Sequence, residues 1–269
     1  MEITIGNRTI TPVNSVDLRI AALLWGDAGC GKTTLAATAP GTKLWIQFDP
    51  DGVLSLAGRT DCIVLDLSGE KHTIVDALKS DDPFGLEKML KEHTEIETIV
   101  LDSLTALAVL ASENAVANVK SATNENPGLK GYGHRNAVVL RVVTSFMRLT
   151  KRLNKHIIFI AHEDTPTVDD NGIIQFITLA LGGKQTNQIA LSLNELWWMR
   201  RLDNKGKDSF WLAVRPCRTR KPMKTRMFDS SASPEFEWKH DVKEWEGDGI
   251  STWFEAWKEN KGRKISLPK

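Results

Sequence analysis

The residues best suited to chemistry lie early in the chain. Gly26-Asp27-Ala28-Gly29-Cys30-Gly31-Lys32-Thr33 fits G-x-x-x-x-G-K-[ST], and Thr34 follows. Glycines let a backbone curl so that its N–H groups face phosphate oxygens, and a following helix adds its dipole. Lys32 is placed to reach the β- and γ-phosphates of a nucleoside triphosphate, and the Thr33 hydroxyl to ligate Mg²⁺. The bland alternative is a glycine turn before a helix. Context disfavours it, since the apolar run Leu18–Trp25 leads in and the Ala-rich stretch Lys32–Ala39 leads out. Cys30 reads as a small tolerated residue, with thiol reactivity at a helix start as its alternative.

A triphosphate site also needs a carboxylate for its metal. Thr98-Ile99-Val100-Leu101-Asp102-Ser103 is an apolar strand ending in one, although Asp102 or Ser103 could equally cap the next helix. Hydrolysis needs a group that orients water. Asp49 and Asp51 follow the strand after the loop's helix, in Asp-Pro-Asp-Gly, where the nucleotide crevice should lie. Pro-Asp-Gly is also a strong turn signal, and from pattern alone both readings stand.

The elements that would position these groups alternate. Lys43–Phe48, Cys62–Asp66, Glu97–Leu101 and His156–Ala161 read as strands. The spacing predicts helices over His72–Lys79, Phe84–His93, Leu104–Val119 and Asn136–Asn154, with a polar loop over Ser121–Tyr132. After His156–Ala161 the pattern becomes β-hairpins. Ile173–Leu179 alternates behind a turn, and Leu196–Leu202 and Ser209–Arg215 flank Asp203-Asn204-Lys205-Gly206. The expected fold is α/β: a mainly parallel sheet flanked by helices, with a C-terminal antiparallel hairpin extension.

These residues carry a resemblance. The chain resembles RecA-type P-loop ATPases, and most closely the compact phage-encoded RecA-like proteins of single-strand annealing and recombination, a phage nucleotide-binding AAA-type group. GDAGCGKT, FDPDG, IVLDSLTAL and FIAHED occur in the order that group shows, and the resemblance spans roughly residues 18–228. It implies ATP and Mg²⁺ as cofactors, with Asp51 at the catalytic glutamate's position. It implies His162 as a γ-phosphate sensor; alone at a sheet edge, His162 would read as a structural histidine. It implies that Lys224 and Arg226 complete a neighbour's site, so that ATP lies between subunits of a ring or filament. Asp51 departs from the group's glutamate by one methylene. A carboxylate drawn back by about 1.5 Å places water poorly, and even a 1 Å error can cost about 100-fold, so slow or conditional turnover is expected.

Charge bears on partners. Overall the chain is +1, yet residues 1–199 hold 18 basic against 23 acidic side chains, and residues 200–226 hold ten against two. Residues 227–259 hold three against nine, and the tail from 260 is +4. The neutral total is a cancellation. The resemblance places DNA-binding loops near Ser121–Arg135 and Glu163–Gln188, where Lys120, Lys130, Arg135 and Lys184 are candidate contacts. Neither loop is strongly basic, and only Tyr132 offers clear stacking. The basic segment could bind DNA phosphates, serve a neighbour's ATP, or be a solvated hairpin face. Trp197, Trp198 and Trp211 read as core. Trp253, Phe254 and Trp257 suggest an amphipathic end that packs on its own domain or docks on a neighbour.

Three scattered cysteines form no disulfide or zinc pattern, no apolar run suits a membrane span, and the first residues lack a signal-peptide pattern. A cytoplasmic protein without membrane contact is expected, in a host cell if phage-encoded. The expected organisation is an ATPase domain over 1–228 (core about 18–161, antiparallel extension about 171–228) and an acidic, Trp-rich segment over 229–269. The expected function is ATP hydrolysis coupled to single-stranded DNA in recombination or annealing, with a single-strand DNA-binding protein as a further partner. Two alternatives stand: a nucleotide switch acting on a protein partner, and a helicase or replication loader, for which the chain has little room.

Overall fold

Apolar runs that are buried on both faces can only be central strands of a covered sheet. The chain has several. In the computed structural model, which describes residues 3–5, 8–10, 18–50, 52–120, 122–123, 127–181, 185–241 and 245–268, they form one eight-stranded sheet. Its strands in chain order are β1 (Ala21–Gly26), β2 (Thr42–Gln47), β3 (Cys62–Asp66), β4 (Ile96–Asp102), β5 (His156–His162), β6 (Glu195–Asn204), β7 (Lys207–Ala213) and β8 (Glu235–Trp238). In space they run β8-β7-β6-β1-β5-β4-β2-β3. The six from β6 to β3 are parallel, while β7 runs antiparallel to both β6 and β8.

The helices are α1 (Lys32–Ala37), α2 (Ile74–Leu78), α3 (Leu86–Glu92), α4 (Leu104–Asn118), α5 (Gly128–Arg152), α6 (Gln185–Ser192) and α7 (Ile250–Glu259). They cover both faces of the sheet. On one face Leu107 and Ala111 of α4 and Val139, Val142, Phe146 and Leu149 of α5 pack on Leu23, Ile99, Leu101 and Ile157. On the other, Leu35 and Ala36 of α1 and the aromatic side of α7 pack on Leu24, Trp45, Val100 and Ile160. The mainly parallel α/β sheet expected from sequence is present, with antiparallel strands on one edge.

Three local expectations change. Leu196–Leu202 was expected to add an antiparallel strand; β6 instead joins β1 in parallel, and only its hairpin partner β7 reverses direction. The stretch Ile173–Leu179 does not extend the sheet. Ile174–Phe176 pairs with Thr167–Val168 in a separate two-stranded hairpin. The loop expected over Ser121–Tyr132 gives way at Gly128, where α5 begins and continues through Gly131 and Gly133. Gly131 is there for closeness rather than for turning. A Cβ on it would lie 2.9 Å from Pro127 Cβ and 3.1 Å from Ala122 Cβ.

The segment from 229 onward is built into the same core. It supplies β8, and α7 buries Ile250, Trp253, Phe254 and Trp257. Trp253 meets Phe228, Phe236 and Trp197 edge-on, at centroid distances of 5.4, 5.6 and 5.9 Å. The start of α7 is pinned to the end of α1, where Ile250 N donates to Thr38 Oγ1 (2.8 Å) and Ser251 N to Thr38 O (2.9 Å). Of the two placements open to this amphipathic end, the chain adopts the intramolecular one.

Candidate active site

Alternation along the strands gathers the polar groups. On β2, β4 and β5 the residues Trp45, Val100, Ile158 and Ile160 all face α1. Stepping by two along each chain brings Gln47, Asp49, Asp102 and His162 to that same face, at the carboxyl ends of the strands. Registers agree: Gln47 is opposite Asp102, and Gly26 is opposite His162. Phe48 N donates to Asp102 O and extends the pairing past the end of β2.

The loop 26–33 joins β1 to α1 at this edge. Gly26 has a φ of 152°, and a Cβ there would lie 2.1 Å from the Met199 carbonyl oxygen of β6. No other residue fits between that strand and the loop. Gly31, the N-cap of α1, is left-handed at φ 88°. Asp27, Ala28 and Gly29 are exposed, whereas Cys30 is buried, and burial pushes its thiol pKa up. Such burial suits Cys30 to packing better than to thiol reactivity.

Lys32 is buried and folds over the loop, with Nζ donating to Gly26 O (3.1 Å) and Asp27 O (2.6 Å). Thr33 Oγ1 donates to Asp102 Oδ2 at 3.1 Å. The helix-cap reading of Asp102 falls to its neighbour, because Ser103 Oγ accepts from Ala106 N (3.2 Å) and caps α4. The peptide between Asp102 and Ser103 is cis. Burial, with the Asp49 charge adding to it, pushes the Asp102 carboxyl up to about 6, against the Thr33 hydrogen bond. Burial and then the Lys32 charge lower the His162 imidazole, so it stands neutral at pH 7. Thr105 Oγ1 accepts from His162 N (2.9 Å), and His162 O accepts from Ala180 N (3.0 Å). The histidine thus links β5 to the segment that follows it.

The residues present fit a Mg–nucleotide. Thr33 Oγ1 and Asp102 Oδ2 are paired where a magnesium ion would take the hydroxyl and, through water, the carboxylate. Two buried oxygens on the same face, Gln47 Oε1 and Asp49 Oδ2, have no hydrogen-bond partner among the described residues. The charge of Asp49 bears on both Asp102 and His162. Buried acceptors without donors are rare, and here they border a site whose ligand would bring water.

Other sequence candidates lie elsewhere. Lys224 pairs through its backbone with Leu196, which is opposite Leu23, three residues before Gly26 and so about 10 Å down the sheet. Its Nζ donates to Ala190 O (3.1 Å) at the end of α6. Arg226 is exposed at the amino ends of the strands. Neither reaches the loop of its own chain. Lys120 and Lys130 are exposed. Arg135 is half-buried and spends a guanidinium N–H on Leu181 O. Asp51 and Lys184 lie outside the described residues.

Sequence reasoning passed over three groups. Gln47 was legible by counting two back from Asp49. Glu163, next to His162, accepts from Trp198 Nε1 (2.8 Å), and burial raises its pKa. Glu195 is fully buried and accepts from Trp197 Nε1, Thr225 Oγ1, Arg226 N and Met227 N at 2.6–3.0 Å. It therefore fixes the path of Lys224-Thr225-Arg226. Its only sequence signal is a lone acid at the head of the apolar run Leu196–Met199. The basic segment is partly neutralised: Arg200 and Arg220 pair with Glu235, and Arg201 pairs with Asp208.

A parallel sheet with this loop, lysine, threonine and strand-end aspartate defines a P-loop ATPase fold. Comparison with known families agrees. A profile described as AAA domain matches residues 19–209, and the chain belongs to that family. No curated protein matches the chain. Among solved structures, a KaiC-like protein from the hyperthermophilic archaeon Pyrococcus horikoshii OT3 aligns with a TM-score of 0.43 at 14% identity, over 82% of this chain and 89% of its own. No described helix is long and apolar enough to cross a membrane.

Proposed function

We propose that this chain binds ATP with Mg²⁺ at the 26–33 loop and hydrolyses it, in assemblies of itself that act on single-stranded DNA during recombination or annealing, in a phage or prophage setting. The observation that carries the nucleotide part is the 3.1 Å contact of Thr33 with Asp102, with Lys32, Asp49 and His162 beside it. The magnesium ion would neutralise charge on the phosphate oxygens between Thr33 and Asp102. Lys32 would leave the loop carbonyls for the terminal phosphates. Neutral His162 would hydrogen-bond the outermost phosphate and pass its state to the segment after β5.

The water-orienting carboxylate has two candidates. Asp51 holds the family position by resemblance. Asp49 is favoured by geometry, through its unpartnered buried oxygen. Lys224, bonded to Leu196 and Ala190, and Arg226, whose N–H Glu195 holds, are remote from their own loop and suit a role toward a neighbouring subunit's nucleotide. Exposed Lys120 and Lys130 support the DNA part, and a single-strand DNA-binding protein is a compatible partner.

One observation favours the switch reading as a second. The hairpin Thr167–Phe176, just beyond His162, exposes Val168, Ile173, Ile174 and Phe176. Such an apolar tip suits a protein contact better than a phosphate backbone. ATP turnover measured with and without single-stranded DNA, over a salt series, tests the proposal. Stimulation by DNA supports it. Turnover that is indifferent to DNA, with no binding at low salt, favours the switch. Normal ATP affinity and turnover in Lys32→Ala would overturn the nucleotide part.

A further inference from the structure

A cleft of about 1050 Å³ opens at the amino ends of the strands, between the sheet and α7. It lies at the opposite edge from the phosphate loop, about 17 Å away along β1. Among the described residues its walls carry Arg19, Lys155, Arg226, Lys258 and Lys261, against two carboxylates, Glu97 and Glu255. One of those, Glu255, is 3.5 Å from Lys258. Arg19 meets the Thr150 hydroxyl (3.4 Å) and Lys155 the Thr94 carbonyl (3.2 Å). Among the described residues no carboxylate pairs with Arg19, Lys155, Arg226 or Lys261.

One neutral donor lines the same space. His156 Nδ1 accepts from Ile20 N (3.0 Å), so its proton is on Nε2. Burial, and then the charges of Arg19, Lys258 and Lys155, hold that imidazole down to about 4. Cations in excess over carboxylates, with Arg19 and Lys155 half-buried and Arg226, Lys258 and Lys261 exposed, call for an anionic ligand. A lone carboxylate brings one charge and two oxygens. The cleft offers more cations and more room than that.

We propose that this cleft binds a phosphate-bearing anion, either a polyphosphate chain or the phosphodiester backbone of a nucleic acid. None of the cleft's residues belongs to the 26–33 loop, and Arg226 is the one it shares with the role toward a neighbour proposed above. A polyphosphate would come from free solution; a backbone would come from single-stranded nucleic acid.

The test uses the full chain carrying Lys32→Ala, which disables the loop. Inorganic tripolyphosphate is titrated by calorimetry, and a labelled oligothymidylate by fluorescence anisotropy. Lys258→Gln/Lys261→Gln should weaken binding at least tenfold. For the oligonucleotide it should flatten the log–log salt slope by about 1.4, at roughly 0.7 per lost contact. Lys71→Gln/Lys88→Gln, of equal charge change but elsewhere on the surface, should do neither. The wild-type chain gives a second background, in which the cleft's share is the binding lost in the Lys258/Lys261 variant alone. Tripolyphosphate binding alone assigns the ligand to polyphosphate, and oligothymidylate binding assigns it to the backbone. Equal effects of the two double variants, or no binding of either probe at low salt, would overturn the proposal.

Discussion

The Thr33 hydroxyl and the Asp102 carboxylate lie 3.1 Å apart, although 69 residues separate them, and each arrives on its own element at the same end of the sheet. Their contact makes a prediction about pH. The Asp102 carboxyl titrates near 3.8 when unfolded and at about 6 when folded, so between those values the folded chain holds the extra proton. Stability without metal should fall as pH rises through that window. Asp102→Asn should remove the fall, and should cost Mg–ATP affinity about tenfold or more while sparing metal-free nucleotide. Thermal denaturation at pH 4 to 7, with and without Mg²⁺, reads the first effect.

Asp49→Asn should lower turnover about 100-fold with nucleotide affinity retained, if its buried oxygen orients the attacking water. Asp51→Asn is the comparison. Loss of turnover in Asp51→Asn alone would leave Asp49 as a neighbour without a catalytic part.

Gly26→Ala should disrupt both the fold and the site. The new methyl carbon would sit 2.1 Å from Met199 O, on a backbone at φ 152°. One strand must move, at a cost of about 2 kcal/mol or more. Chemical denaturation and nucleotide titration should fail together.

Glu195→Gln exchanges an acceptor of four hydrogen bonds for an amide that must turn an NH₂ toward at least one donor. A loss of about 1–3 kcal/mol is expected. Burial raises the carboxyl from 4.5 to about 7, against its four donors. Wild-type stability should therefore fall as pH rises from 4.5 through 7, and Glu195→Gln should not share that slope. A flat difference between the two stability curves across that range would refute it.

The trans role is read by mixing. Lys224→Ala/Arg226→Ala subunits combined with Asp51→Ala subunits should recover part of the turnover that each lacks. Failure of rescue in a demonstrably mixed assembly would leave Lys224 as a cap for α6 and Arg226 as a wall of the basic cleft.

Much of the site was legible because its signals are local. The loop and the Thr98–Ser103 strand each announce themselves within eight residues. His162 needed strand order, which alternation with helices supplies. Other parts depended on partners far along the chain. Nothing in Leu196–Leu202 tells which way it will run beside β1, since that is decided by burial between β1 and β7. Gly131 looked like a loop residue because a glycine's need for closeness leaves the same letter as its need for a turn. Glu195 was silent for a related reason: its four donors come from residues up to 32 positions away.

The place of β1 in the sheet has a consequence for how the chain is made. Its lateral partners come late: Ile20 N bonds His156, 136 residues on, and Ala21 N bonds Asn194, 173 residues on. At a synthesis rate of about 5–20 residues per second, the apolar strand that leads into the phosphate loop emerges many seconds before either neighbour exists. Until then it is an unpaired edge, open to aggregation or to a chaperone. A nascent chain stalled before Glu195 should be held by such a factor, whereas one that has passed Trp257 can close its own core.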